Sequence, residues 1–221
     1  MADGDAEVLG LVVGTVPATP LKYSIGLAPG QYVQLDDVVV TSRPLPGRDD
    51  VQIAGVVTNV EAVHEGARFA SDVFLIEQGV LPAEVAEVAE VTVTRIDPEL
   101  YVPPLPGTRV RRAGGKLRDK ALYFDQMGDA KIPVGFGRDG QPVYANFEFV
   151  DGTRGAHISI SGISGIATKT SFAMFLLHSI FNCGVLEGEA HNTKALIFSV
   201  KGEDLLFLDY ANNRLTDTDR A

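Results

Sequence analysis

Tryptophan is absent from this 221-residue sequence, and cysteine occurs once, as Cys183. A single cysteine closes no intramolecular disulfide, and no Cys/His cluster has zinc-ligand spacing. A disulfide scaffold and a structural zinc site are therefore excluded, and a reducing cytoplasmic compartment is expected. Positive charge is scarce as well: 19 Lys and Arg stand against 29 Asp and Glu, leaving a net charge of −10. That balance excludes a uniformly basic nucleic-acid surface, so any contact with DNA has to be local. Long apolar runs are missing too. The most apolar stretch, Phe172 to Phe181, is interrupted by His178 and Ser179 and falls short of the roughly 20 residues needed to cross a bilayer. The opening MADGDAEVLG carries acids where a signal peptide carries positive charge. A soluble protein with no membrane partner is predicted.

What is present is ample apolar material, 45% of residues against 22% charged, enough for one or two domains with real cores. From Glu7 to about Ile96 the segments VLGLVVGTV, LKYSIGL, QYVQLDDVVVTS, VQIAGVVTNVEAV, DVFLIE and EVAEVAEVTVTRI read as short strands separated by Pro, Gly and Asp. Val85 to Ile96 alternates as a half-buried antiparallel strand does, although its Glu/Ala-rich beginning also suits a helix. Closure removes exposed strand edges, so residues 7–97 are expected to form a small β-barrel.

Residues 98–130 change character. VPPLPG is a proline-rich turn, and RVRRAGGKLRDK concentrates Arg109, Arg111, Arg112, Lys116, Arg118 and Lys120 in an otherwise acidic chain. One reading is a solvated linker whose charges pair with the acidic barrel. The other is a segment that contacts phosphates or a neighbouring subunit.

Residues 131–221 change pattern again. IPVGFGRDGQPVYANFEFV reads as a hairpin turning at Asp139-Gly140. AHISISG reads as a strand entering a glycine loop, SFAMFLLHSIFNCG as a largely apolar helix ending near Gly184, and TKALIFSVKGED as a second buried strand. Strand, helix and strand in this order predict a βαβ unit with a parallel sheet. The whole is thus read as α/β with an N-terminal all-β barrel.

The join in that unit, GISGIATKTS, carries the candidate chemistry. A phosphate cradle needs inward backbone N–H groups, a helix N-terminus, a lysine for the outer phosphates and a hydroxyl for Mg²⁺. Gly162 and Gly165 allow tight turns, Lys169 is followed by Thr170, and Ser171 begins the helix. The usual pattern G-x-x-x-x-G-K-[ST] is met imperfectly. With Gly162 as first glycine the loop is one residue too long; with Lys169 fixed, Ile163, Ile166 and Thr168 fall near glycine positions. An incidental strand-to-helix turn is the competing reading. Lys201-Gly-Glu-Asp204 is either a Mg²⁺- or water-orienting strand exit or a solvated turn, and His157 and His178 read as packing histidines. No Ser-His-acid order suggests a hydrolase triad.

Taken together, the barrel-like strands, the segment from IPVGFGRDGQPVYANFEFV to HISISG, the loop GISGIATKTS and the exit VKGED make the chain resemble the HerA-type branch of the HerA/FtsK P-loop ATPases. The resemblance implies an N-terminal barrel followed by the start of a RecA-like parallel-sheet core. It also implies ATP and Mg²⁺ as cofactors and a homo-oligomeric ring, a hexamer, with DNA in its channel. A nuclease or other effector would be the partner, in end processing or antiviral defence. Lys169 would contact the β- and γ-phosphates and Thr170 would bind Mg²⁺. Gly162, Ser164, Gly165, Ile166, Ala167, Thr168 and Ser171 would form the loop and its helix entry, and Glu203 would lie near the nucleotide. The chain departs from that family in that only 51 residues follow Thr170. No acidic pair or arginine finger is identifiable there; Arg214 and Arg220 lie close to the end. A fragment that binds nucleotide without hydrolysing it is the expectation, and an oligomerisation or effector-binding module is the alternative.

Overall fold

The computed structural model describes residues 7–162, 168–198, 205, 208, 210, 211 and 213–216, with only the backbone described at Thr168. The chain divides into two compact units, Met1–Ser161 and Gly162–Ala221.

The first unit is built on a closed six-stranded antiparallel barrel. Its strands are β1 (Val8–Val12), β2 (Lys22–Leu27), β3 (Val38–Leu45), β4 (Arg48–His64), β5 (Val85–Asp97) and β6 (Arg109–Arg112), in the order β1-β2-β5-β4-β3-β6. The expected barrel is thus present. Successive side chains on a strand point to opposite faces, and the inward set includes Leu9, Tyr23, Ile25, Val39, Val51, Ile53, Val57, Val91 and Val110, none more than 1% exposed. Register shifts between Ala54 and Gly55 and between Val57 and Asn59 move the β4–β5 ladder by one residue at a time. The inward set on β5 accordingly jumps from Val91 and Val93 to Ile96.

Two findings differ from the sequence expectation. Arg109–Arg112, inside the stretch read as a linker, is the strand that closes the barrel, pairing antiparallel with both β1 and β3. Only Val110 need face inward, and it is fully buried, so three arginines in a four-residue strand cost the core nothing. DVFLIE, read as a strand, forms a helix, α1 (Asp72–Glu77). The Asp72 carboxylate accepts N–H groups of Arg68 (2.9 Å) and Phe69 (3.0 Å), a local turn that winds the chain before any strand partner is reached.

β4 and β5 are longer than the other strands, and their outer ends pair from Glu61↔Val88 to His64↔Val85. With the connection that carries α1, they form an arm extending the barrel wall. Next to the barrel, α2 (Gly115–Ala121) lays Leu117 and Ala121 against a second apolar cluster with Val38 and Ala54. The predicted hairpin follows as β7 (Lys131–Phe136) and β8 (Pro142–Asn146). Its turn has Gly140 at φ 70° and Asp139 Oδ1 accepting the Gln141 N–H at 3.0 Å.

In the second unit the predicted helix is α3 (Thr168–Asn182), ended by Gly184 at φ 87°, the left-handed C′ position that glycine favours. Neither flanking strand is formed among the described residues: 157–162 and 193–198 have no ladder partner. The barrel is therefore established, and the parallel sheet of a RecA-like core is a proposal. No helix among the described residues is long and apolar enough to cross a membrane.

Candidate nucleotide site and charged surfaces of the barrel

α3 places Lys169 and Thr170 in its first turn, with Ser171 next to them. Lys169 is half-buried, whereas Thr170 and Ser171 are exposed. The Lys169 ammonium donates to the carbonyl oxygen of Gly162 at 3.0 Å. The two ends of the candidate loop are thereby joined, with a cation at the positive end of a 15-residue helix. Gly162 is exposed. Ser164, Gly165, Ile166 and Ala167 lie outside the described residues, as do Glu203 and Arg220, and the Thr168 side chain is likewise outside them. Among the described residues no three His, Cys, Asp or Glu side chains gather as a metal-binding group.

His157 and His178, read as packing histidines, are both exposed. His178 Nδ1 lies 3.3 Å from Asn182 Nδ2, one turn along α3.

The basic segment divides into two sets of side chains. Arg112 pairs with Asp37, donates to the Tyr32 carbonyl at 2.9 Å and lies over the Tyr32 ring. Lys120 pairs with Asp97 at 3.2 Å. Arg118 is buried, at 6% exposure, and pairs with Asp139 at 2.8 Å across to the hairpin turn. These three behave as charges that pair with nearby acids. Arg109, Arg111 and Lys116 have no carboxylate partner among the described residues.

Arg109 and Arg111 line a groove of about 400 Å³ with Val40, Ser42, Gln52, Thr108 and Leu117. It opens where the β3–β6 ladder runs out: only Val39↔Arg112 and Val40↔Arg111 are paired. Beyond them the Thr41 hydroxyl takes over, donating to the Arg109 carbonyl at 2.9 Å. Two unpaired guanidiniums above hydroxyl and amide groups suit a carboxylate or phosphate, since both can be held by forked N–H donors. Sequence reasoning named the arginines but missed Thr108, their neighbour in the chain, and Ser42 and Gln52, which only strand pairing brings beside them.

The arm presents the opposite character. Residues 61–87 contain six acidic residues and one basic. α1 has no buried residue, and Phe69, Phe74, Val80 and Val85 are each more than 60% exposed.

No protein-family model matches this chain, and a search of curated proteins finds no match. The HerA-type resemblance rests on the residues quoted for it.

Proposed function

We propose that this chain is the ATP-binding portion of a ring-forming DNA translocase of the HerA type, with its nucleotide site at the bend leading into α3. The observation that supports this reading is the 3.0 Å contact between the Lys169 ammonium and the Gly162 carbonyl. It places a positive charge at the start of α3, where a triphosphate could replace the carbonyl as its partner. The residues fit such a ligand: Lys169 would hold the β- and γ-phosphates, the Thr170 hydroxyl would reach Mg²⁺, and helix N–H groups would face the anion. Mg²⁺ would neutralise charge on the phosphates. The barrel would supply subunit or effector contacts, and a nuclease would act on DNA delivered through the ring.

Titration with a fluorescent ATP analogue and Mg²⁺ tests the site. Lys169→Ala should weaken binding by about ten- to a hundredfold, the worth of a hydrogen bond to a charged group. Equal affinity of the two proteins, or no binding by either, would overturn the reading.

The exposed apolar side chains of α1 favour a second reading, an assembly or effector-binding module in which the nucleotide unit contributes little. Oligomers that form normally in a protein that binds no nucleotide would support it.

A further inference from the structure

We propose that the acidic, apolar arm of one copy docks into the basic groove of the next copy, head to tail. This rests on the ring-forming part of the proposed function and not on its nucleotide site.

The two surfaces have complementary charge. The arm carries six acids and one base over residues 61–87, whereas residues 109–120 carry six bases and one acid. Three of those bases, Arg112, Arg118 and Lys120, are engaged within the molecule. Arg109, Arg111 and Lys116 are left for an external partner. The apolar content also corresponds: Val40 and Leu117 line the groove, and Phe74 and Val80 stand exposed on the arm.

One molecule cannot satisfy itself. Gln52 lines the groove near the start of β4, and Glu61 marks the arm near its end. Nine residues of strand place them about 30 Å apart. β4 itself lines the groove at Gln52 and carries the arm at its far end, so the length of that strand sets the separation. Arm and groove can meet only between molecules. A contact that uses different surfaces on the two partners is heterologous and propagates around a ring if its rotation closes. Copies with a net charge of −10 repel one another on average, so attraction has to come from a local pairing of this kind.

Charge reversal of the full chain, followed by light-scattering mass after size exclusion without nucleotide, tests the proposal. The unaltered protein should be oligomeric, and its assembly should weaken between about 0.1 and 0.5 M salt as screening shortens the reach of the charges. Glu61→Lys with Glu65→Lys, which share one face of the arm, should yield monomers, as should Arg109→Glu with Arg111→Glu in the groove. An equimolar mixture of the two variants should reassemble, because each reversed surface then finds a complement on the other protein. Reassembly also shows that both variants are folded. A monomeric unaltered protein, variants that keep its mass, or a mixture that stays monomeric would each overturn the proposal. Lys169→Ala should leave the assembly unchanged, so failure of the nucleotide site and failure of this contact give different results.

Discussion

At the scale of single residues, two positions in the barrel carry constraints that composition does not show. Gly10 on β1 passes so close to β2 that a Cβ would lie 2.1 Å from the Gly26 carbonyl oxygen, and no flexible side chain is there to move aside. Gly10→Ala should destabilise the barrel by about 3 kcal/mol, the upper end of ordinary overpacking, read as a lower denaturation midpoint. Tyr23 is the second case. Its ring fills the core at 1% exposure, and its hydroxyl has no hydrogen-bond partner among the described residues. Burial pushes its pKa well above the ordinary 10.0. The folded state therefore keeps a proton that the unfolded state loses above pH 10, and stability should fall as pH rises through that range. Tyr23→Phe removes both the unpaired hydroxyl and the titration. Its stability should equal or exceed that of the parent near neutral pH, and its alkaline decline, followed by circular dichroism, should be shallower.

At the scale of elements, α2 is fastened to the β7–β8 hairpin through one buried guanidinium. Arg118 pairs with Asp139, donates to the Pro142 carbonyl at 3.3 Å and lies over the Phe124 ring, which itself meets Tyr144 edge-on. Arg118→Met keeps much of the volume but loses the bridge, and should cost about 2 kcal/mol in chemical denaturation. Elements of this kind were unequally legible in the sequence. Several of the barrel strands, β5 above all, alternate because one face is buried, and the hairpin was marked by Asp139-Gly140. β6 was hidden because a four-residue strand needs only one inward side chain, and Val110 gives no period by itself. α1 was misread because a six-residue apolar run does not distinguish a strand from a helix, and the local Asp72 turn decided the matter. At the candidate site the helix and Lys169 were legible from the Lys-Thr pair before an apolar run. The Lys169 contact with Gly162 was not, since no local pattern encodes a hydrogen bond between residues seven apart.

At the scale of the whole molecule, nucleotide occupancy should appear as stability. A ligand at about a hundred times its dissociation constant stabilises the protein that binds it by about 2.7 kcal/mol. A thermal shift with Mg²⁺ and an ATP analogue is expected for the parent chain and should vanish in Lys169→Ala. Because DNA is repelled by the net charge of −10, engagement of DNA by the proposed motor requires charge gathered locally in an assembly.

Barrel closure has one more effect. Every strand of the six has neighbours on both sides, so an incoming polypeptide finds open ladder only where a pairing runs out, as on β3 beyond Val40. Molecular identity is left to outward side chains, which can change without disturbing the hydrogen-bonded wall beneath. Two diverging versions of this chain could therefore lose the ability to mix through a few exchanges of charge, while each continued to fold as before.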